Sequence, residues 1–536
     1  MSSGTTSTDF GSNPWFKNIS QPPNLNPRSL RAQKQMRDWF HEHCGQGDKI
    51  CLEEIPFHGH SLPKRLLKVG SATEPVRLIT TTRSGTYKYA LLSYCWAGIS
   101  KQNMSASVQD AIWVVQTLGL EYLWIDALCI VQDDSDELTT EISKQAQIYQ
   151  NGVMTILAGG AHSANEGFLR KRSLKHRRCV ITIQIPGLDN VKKKFILDMS
   201  LANPHGPPTD PVRSRAWIFQ EIILSLHVLY FSPAQMIFYC QEKAYFDGWG
   251  PEYGYSLDER VPGINSGIGY MNANELCRTW YRLVTEYSEL KLTMPADKLP
   301  VISAVAEVFG SAISGTETGR ESYKAGLWEQ HFPTNLSWFT ENPPPRLTRP
   351  AYRAPSWSWA SIDSCVFDSL PLKDYTVPPR DYREGVPMEE VVVKSTSCNV
   401  KLASPEAPFG QVTGGYLQIE APLTKITVSM SCFVGLTSSR SDDRISVGLR
   451  YDVDLYWLSD VKTDAHTYYL LLLVFGKGGG WPDPELDVVM EGLILSKAED
   501  KEIYSRVGYF SSDWREPASE RHDYRDYFQM SKVTII

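Results

Sequence analysis

Two apolar runs, joined by one helix-length segment, constrain this chain more than any other feature. The run YALLSYCW begins at Tyr89, the run LGLEYLWIDALCI ends at Ile130, and apolar residues recur with helical spacing between them. Parallel strands need a crossover connection of this kind, so the pattern predicts a strand–helix–strand unit of an α/β sheet. We expect a site where the two strands end at one edge of the sheet. The alternative is that both runs are core strands whose polar groups are satisfied internally. The polar residues concerned are Ser93, Tyr94, Cys95, Asp126 and Cys129.

The alternation of strand and helix patterns continues beyond these two runs. After a first strand at Tyr89 to Tyr94, a helix is predicted over Ser105 to Leu118 and a second strand over Tyr122 to Ile130. Another helix, from about Leu138 to Gln150, leads into the β-branched run Val153 to Ala158. The order predicts a doubly wound α/β domain in which the three strands are parallel neighbours.

Changes of pattern divide the chain into five predicted parts. Helical spacing dominates the middle from about Asn274 to Gly310, whereas the tail alternates β-branched and aromatic runs with Gly, Pro and charged turns. The parts are a disordered arm (1–30), a helical and linker segment (31–86), the α/β domain (87–245), a helical section (246–345) and a β-rich C-terminal module (346–536).

Composition and charge argue against several classes of function. A net charge of −7 gives no basic field for a nucleic-acid backbone. The longest apolar run, Tyr468 to Phe475, is far shorter than the roughly 20 residues of a membrane span. The 10 cysteines form no short-spaced framework, and the first part of the chain has no signal-peptide core. We therefore expect a cytoplasmic protein with no membrane span and no nucleic-acid partner.

A group of histidines and cysteines, which are common metal ligands, precedes the α/β domain. A structural zinc site needs four converging ligands, usually with a close Cys-x2-Cys pair. The two cysteines here are separated by the flexible segment GQGDKI, so we predict surface histidines and core cysteines, without a metal. The group consists of His41, His43, Cys44, Cys51, His58 and His60.

The second apolar run contains a carboxylate and a thiol. Asp126 lies in the otherwise apolar WIDALCI, so its carboxylate needs a partner or a cavity. Cys129 would need a nearby base and a lowered pKa to act as a nucleophile, and neither run contains a histidine. A core role is the interpretation we favour for this thiol, with catalysis as the alternative. Because phosphate-loop, dinucleotide-binding, serine-hydrolase and zinc-protease motifs are missing from the sequence, no resident cofactor is predicted.

Three ordered blocks resemble the HET (heterokaryon incompatibility) domain of filamentous fungi. They are YALLSYCW, NMSASVQDAIWVVQTLGLEYLWIDALCIVQDD and SRAWIFQEIILSLHVLYF, and the resemblance covers about residues 35 to 365 and, more loosely, the tail. Two positions depart from the family pattern. Trp96-Ala97-Gly98 stands for the usual Trp-Gly, and Ile222 replaces a basic residue that often follows the Gln-Glu pair. The resemblance implies fungal non-self recognition, with activation leading to cell death.

The third block also resembles a short motif of Toll/interleukin-1 receptor (TIR) domains. Trp217-Ile-Phe-Gln-Glu221 is similar to their Trp-x3-Glu, whose Glu belongs to an NAD-cleaving site, and Ser93-Tyr94 is similar to the end of their first strand. This resemblance implies a TIR/flavodoxin-like sheet with NAD as substrate. Glu221 would then stabilise positive charge on the ribose, while Trp96 or Tyr94 stacks on a flat ring. The alternative is that Glu221 is a first-turn carboxylate beside the helix dipole.

Three functions of different classes follow from these patterns. The first is a HET-domain effector of fungal non-self recognition. The second is an enzyme on the same domain, either an NAD glycohydrolase or a small-molecule enzyme of secondary metabolism. The third is a non-catalytic scaffold that binds protein partners or itself. The predicted catalytic residues are Glu221, Asp126 and Cys129, and the predicted substrate-binding residues are Ser93, Tyr94, Trp96, Trp217 and Gln220.

Overall fold

The computed structural model divides the chain into two compact units, Met1–Gly269 and Tyr270–Ile536. Each unit has its own sheet. The finer division into five parts stays a prediction. The described residues are 24–44, 62–70, 74–82, 85–95, 104–134, 137, 140–141, 144–172, 178–184, 192–198, 212, 215–233, 235–240, 244–247, 268, 271–314, 319–341, 351–368, 390–428, 433–437, 444–452, 466–478, 487–498, 502–511, 514–515 and 524–536.

The N-terminal unit is built on an eight-stranded mixed sheet. Ten strands are described in this unit: β1 (Arg65–Lys68), β2 (Arg77–Thr80), β3 (Tyr89–Ser93), β4 (Tyr122–Trp124), β5 (Met154–Leu157), β6 (Arg178–Gln184), β7 (Lys192–Asp198), β8 (Val228–Phe231), β9 (Met236–Tyr239) and β10 (Ala244–Phe246). The sheet order is β10-β9-β8-β5-β3-β4-β1-β2, and β6 and β7 form a separate antiparallel pair.

The centre of the sheet is parallel, as the sequence predicts. Within β3, Ala90 pairs with Leu123 of β4 on one side and with Met154 of β5 on the other. Strand β8 continues the parallel set beside β5. The prediction that the first three strands are parallel neighbours is therefore confirmed. The edge strands are antiparallel, which makes the whole sheet mixed.

The described helices of this unit connect or cover the strands. They are α1 (Leu30–Cys44), α2 (Ala106–Leu118), α3 (Asp126–Cys129), α4 (Gln145–Asn151) and α5 (Ala216–Leu224). Helix α2 begins where predicted, because the Ser105 hydroxyl accepts the backbone N–H of Val108. It ends at Gly119, whose φ of 75° lies in the left-handed region that glycine adopts readily. The apolar residues of α2 pack into the core that contains the buried face of the sheet.

Two sequence predictions about this unit are wrong in part. The second strand ends at Trp124 rather than Ile130, and the chain turns into α3, where the Asp126 carboxylate accepts the backbone N–H of Ala127 at 2.7 Å. The linker predicted before Thr86 contains β1 and β2, which extend the sheet. In the region predicted as a helix from Leu138, α4 is described only from Gln145.

The predicted arm lies outside the described residues up to position 23, and its last part is bound to the unit. Asn24 accepts a hydrogen bond from Arg172 at 2.8 Å through its carbonyl oxygen. Arg28 forms an ion pair with Asp110 on α2, and this carboxylate also accepts the backbone N–H groups of Phe168 and Leu169 at 2.7 and 2.9 Å. Residues 24–29 are thus held to the unit by part-buried polar contacts.

In its described residues, the C-terminal unit combines two α-helices with a mostly antiparallel sheet, in agreement with the predicted helical section and β-rich module. Its helices are α6 (Ala273–Ser288) and α7 (Lys298–Ser314), with 3-10 helices at Pro295–Asp297, Glu329–His331, Thr334–Leu336, Trp359–Ser361 and Tyr524–Asp526. Its strands are β11 (Tyr323–Lys324), β12 (Leu327–Trp328), β13 (Trp338–Phe339), β14 (Phe367–Asp368), β15 (Glu390–Val391), β16 (Ser395–Leu402), β17 (Val412–Val428), β18 (Phe433–Thr437), β19 (Arg444–Tyr451), β20 (His466–Gly478), β21 (Asp487–Lys497), β22 (Ile503–Ser511), β23 (Trp514–Arg515) and β24 (Gln529–Ile535).

The large sheet of this unit has the order β18-β19-β22-β24-β17-β20-β21-β23, with β15 on β20 and β16 on β17. Of its described pairings, that between β22 and β24 is parallel. Two further pairs, β11 with β12 and β13 with β14, are antiparallel. Among the residues described in either unit, no helix is both long and apolar enough to cross a bilayer.

A buried arginine joins the large sheet of this unit to the segment around β13. Arg506 on β22 donates to the Asp452 carboxylate at 3.0 Å and to the carbonyl oxygen of Leu336 at 2.6 Å, and it also donates to the carbonyl oxygen of Trp338. Its guanidinium carbon lies 3.3 Å from the centre of the Trp338 ring. Both charged side chains are almost completely buried, so each depends on the other to avoid an unpaired charge.

Candidate functional site

Polar side chains from four segments of the N-terminal unit lie close together beyond the carboxyl ends of β3 and β4. Ser93 is the last residue of β3, and Asp126 follows β4 by two positions. Tyr94 follows Ser93, Tyr149 lies on α4, Arg215 precedes α5 and Glu221 lies on α5. We call this set the carboxylate cluster. It consists of Ser93, Tyr94, Asp126, Tyr149, Arg215 and Glu221.

Glu221 is an acid of the carboxylate cluster whose pKa is strongly raised. It lies in the second half of α5, so the prediction of a first-turn carboxylate beside the helix dipole is wrong. Burial raises its pKa to about 8, the nearby Ser93 and Tyr149 hydroxyls oppose this rise, and the charge of Asp126 adds to it. The Glu221 carboxyl therefore keeps its proton over most of the range below pH 8 in the free protein.

Asp126 stands at the first position of the short helix α3 and is half-buried. Desolvation raises its pKa, while the Ala127 N–H and the Arg215 charge oppose this shift. The negative charge of Asp126 adds to the rise in the pKa of Glu221, so the two acids titrate as a coupled pair. Neighbouring acids in one site can divide acid and base roles between them.

Arg215 supplies the positive charge of the carboxylate cluster. It is half-buried just before α5, and one guanidinium nitrogen donates to the carbonyl oxygen of Tyr94 at 3.2 Å. Its charge lowers the pKa values of Tyr94, Asp126 and Glu221 against the dominant effect of burial. The hydrogen bond thus holds a cation between the end of β3 and the start of α5, within electrostatic range of both acids.

Cys129, the third predicted catalytic residue, ends α3 and is buried. Burial raises the pKa of its thiol to about 12, and the charge of Asp126 adds to the rise. A thiol in this state is protonated near neutral pH, whereas a nucleophilic cysteine must reach the thiolate form. These surroundings favour the core role.

Three further residues that the sequence predicts to bind substrate are Gln220, Trp217 and Trp96. Gln220 is buried, and its amide nitrogen donates to the side-chain oxygen of Gln145 on α4 at 3.1 Å. Trp217 is half-buried. Trp96 lies outside the described residues.

Three buried polar atoms at this place have no hydrogen-bond partner among the described residues. They are the Ser93 hydroxyl, the Tyr94 hydroxyl and the side-chain oxygen of Gln220. Buried polar atoms without partners are rare in folded proteins and often face a bound water or ligand. The charges of Asp126 and Glu221 act on the Tyr94 hydroxyl, which places it at the acids.

Only part of the group of histidines and cysteines that precedes the α/β domain lies within the described residues. His41, His43 and Cys44 lie on α1, and the rings of buried His43 and Phe238 stack at 5.5 Å. The other members, Cys51, His58 and His60, lie outside the described residues. Within the described ranges, no His, Cys, Asp and Glu side chains gather as metal ligands.

Sequence reasoning missed two members of the carboxylate cluster. Arg215 precedes the Trp-x3-Glu spacing by two positions, and a basic residue beside two candidate acids is a signal that could have found it. Tyr149 has no comparable signal, since it is one of several polar residues on a predicted helix. Only the packing of α4 against α5 brings its hydroxyl to Glu221.

The fold and the carboxylate cluster define an α/β domain with paired acids at the carboxyl edge of its parallel strands. Residues 89–221 match the family model of the heterokaryon incompatibility protein (HET). These residues are thus similar to a HET domain, and the matched range begins with β3 and ends on Glu221. Comparison with curated proteins and with solved structures gave no match.

Proposed function

We propose that this protein is a HET-domain effector of fungal non-self recognition whose activation leads to cell death. The match over residues 89–221 carries the proposal, because it includes every member of the carboxylate cluster. The protein acts in the cytoplasm, and a protein partner or a second copy of the chain triggers it.

The second function is enzymatic, and the pairing of Asp126 with Glu221 favours it. In this proposal the HET domain hydrolyses NAD. The bond between ribose and nicotinamide breaks, and its electron pair leaves with nicotinamide. A water oxygen then bonds to the ribose carbon, and the proton released passes to a carboxylate. Positive charge develops on the ribose in between, where the ionised acids stabilise it.

The state of Glu221 fits a cationic substrate. In the free protein its pKa is about 8, so the carboxylate is a minor form at neutral pH. A positively charged nicotinamide ring beside it favours the ionised form, since an opposite charge lowers the pKa of an acid. Tyr94 and Gln220 supply polar atoms for the substrate.

The arrangement of the parallel strands supports the finer part of the fold proposal. Their order β4-β3-β5-β8 has the pattern of a flavodoxin-like sheet, in which the chain switches direction on either side of the first strand. Ligands of such sheets bind beyond the carboxyl ends of the strands at the switch point. The carboxylate cluster, at the end of β3, has that position.

Expression of the intact chain in a filamentous fungal host is expected to arrest growth, and Glu221→Gln is expected to relieve the arrest. Gln keeps the size of the side chain but cannot provide the negative charge that a cationic transition state requires. Colony growth and protein level are measured together. Glu121→Gln, an exposed position of the same domain, is the control and should remain toxic. Full toxicity of a folded Glu221→Gln protein would argue for the scaffold function instead.

Purified protein is expected to release nicotinamide from NAD, with kcat/KM rising as the pH passes through about 8. The sign follows from the requirement for the carboxylate form in the free enzyme. Glu221→Gln should lower kcat/KM by about 100-fold or more, the usual effect of removing one electrostatic stabiliser. Nicotinamide is quantified by chromatography, with Glu121→Gln as the control. A profile that falls above pH 8 would assign Glu221 the role of a general acid.

A further inference from the structure

We propose that the side-chain amine of Lys298 in the C-terminal unit is a modification site, to which carbon dioxide adds to form a carbamate. Lys298 is the first residue of α7 and is only 3% exposed. An amine attacks carbon dioxide only as the uncharged base, because the ammonium form has no lone pair. The site belongs to the unit without the carboxylate cluster and does not depend on the function proposed for that cluster.

The first support is the lack of a carboxylate partner for the Lys298 amine. Its nitrogen donates to the carbonyl oxygen of Ile362 at 2.8 Å and lies 5.9 Å from the centre of the Trp359 ring. No ion pair of Lys298 occurs among the described residues. The carboxylate of Asp363 pairs instead with Arg353 at 2.6 Å. A buried ammonium group without a carboxylate is costly, so the surroundings favour the uncharged amine.

The second support is a cation beside the amine. Arg353 donates to the same carbonyl oxygen of Ile362, at 2.5 Å, and to the carbonyl oxygen of Ala360 at 2.6 Å. Its side chain is as deeply buried as that of Lys298. Two cationic groups thus share one acceptor, and each opposes the charge of the other.

The third support is the position of Lys298 at the start of a 17-residue helix. The first turn of a helix carries the positive end of the helix dipole, which disfavours a cation and favours an anion. Burial and the charge of Arg353 lower the pKa of the Lys298 amine to about 7, against the opposing effects of Asp363 and Cys365. Close to half of the molecules therefore hold an uncharged amine at neutral pH, whereas an ordinary lysine is almost fully protonated there.

The carbamate suits these surroundings better than the ammonium group does. The lone pair of Nζ forms a bond to the carbon of carbon dioxide, one carbon–oxygen electron pair moves to oxygen, and the proton on nitrogen leaves to water. The product is an anion beside Arg353, so the repulsion between two cations becomes an ion pair, and the helix dipole now favours the charge. Carbon dioxide itself is uncharged and enters a buried site without the desolvation cost of an ion.

The test is isotope-labelled carbon dioxide applied to the full chain. The carbamate is trapped as an ester with a trialkyloxonium reagent, and the labelled lysine is located by proteolysis and mass spectrometry. Label should appear on Lys298 and, at a fixed concentration of dissolved carbon dioxide, increase by about 10-fold or more from pH 6 to pH 8, because the amine loses its proton over this range. Lys401, an exposed lysine of the same unit, is the internal control and should stay unlabelled. Absence of label from Lys298, or equal label on Lys401, would overturn the proposal.

Two variants test the surroundings of the amine. Asp363→Asn removes the carboxylate that competes for Arg353, at a side chain that is 43% exposed, and should increase the label on Lys298 several-fold at low carbon dioxide. Lys298→Met keeps an unbranched apolar stem without the amine. NMR of the intact protein at the labelled carbon should then show one carbamate signal fewer than in the wild type. Less label on Lys298 in Asp363→Asn, or the same carbamate signals in Lys298→Met, would contradict the proposal.

Discussion

Glu221→Gln is expected to make the protein more stable than the wild type at alkaline pH. The pKa of Glu221 is about 8 in the folded chain against an ordinary value of 4.5, so between these values the folded state binds more protons than the unfolded state. Its contribution to the free energy of unfolding therefore falls as the pH rises through this window. Gln carries no charge and avoids the loss, which is on the order of 4 kcal/mol above pH 8.

The measurement is urea unfolding of both proteins at pH 5, 7 and 9. The difference in the free energy of unfolding should be small at pH 5 and largest at pH 9. Other titrating groups are common to both proteins and largely cancel. A difference that does not change with pH, or a variant that is less stable at pH 9, would contradict the assignment of a raised pKa to Glu221. Stabilisation by loss of a reactive group is the usual sign of a site that sacrifices stability for function.

Arg506→Met is expected to destabilise the C-terminal unit by about 3–5 kcal/mol, because it leaves the Asp452 carboxylate buried without its partner. It also removes the donors to the carbonyl oxygens of Leu336 and Trp338. Thermal unfolding, followed by the fluorescence of the buried tryptophans, reports the loss.

The control for this change is Arg450→Met on the neighbouring strand β19. Arg450 is exposed and lies 4.3 Å from the Phe339 ring centre, so its loss should amount to about 1 kcal/mol or less. The double variant Arg506→Met with Asp452→Leu should recover part of the stability, since no charge then remains unpaired. Equal losses of stability in Arg506→Met and Arg450→Met would contradict the prediction that the buried Arg506–Asp452 pair stabilises the unit more than an exposed arginine does.

The strands at the centre of the N-terminal sheet were predictable from the sequence, whereas those at its edge were not. Strands β3 and β5 are buried along their whole length, so they appear as continuous apolar runs. Strand β2 is mostly exposed and short, and its sequence RLIT gives no such signal. The end of β4 was missed for another reason: the apolar run continues through α3, and periodicity cannot separate a strand from a buried helical turn.

The C-terminal sheet shows a similar limit. The runs GYLQIEA and TKITVSMS have the pattern of two separate strands with Pro422 between them, yet β17 is one strand of 17 residues. Pro422 stands where β17 changes its neighbour, after the pairing of Glu420 with β16 and before that of Leu423 with β20. A proline, which lacks an N–H donor, is tolerated at such a point. The change of neighbour depends on long-range pairing and leaves no local pattern.

The candidate site was predictable as far as it depends on strand ends and local spacing. Ser93, Tyr94 and Asp126 follow strands, and Glu221 belongs to a short motif, so each carries a sequence signal. Their proximity to Tyr149 depends on packing between α4 and α5, and the raised pKa values of Asp126 and Glu221 depend on burial. Neither property is encoded in a local pattern. The catalytic and binding roles of these residues remain predictions.

The limits of the HET match and the limits of the folded sheet do not coincide. The matched range stops at Glu221, yet β8 begins at Val228 and pairs with β5, while β1 pairs with β4 from the other side of the range. A fragment cut at residues 89 and 221 would expose the unpaired edges of β4 and β5, and open edges of this kind join to other chains and aggregate. The shortest piece that retains the eight-stranded sheet runs from Arg65 to Phe246, so recombinant boundaries and domain swaps between relatives should be set by strand pairing rather than by the family pattern.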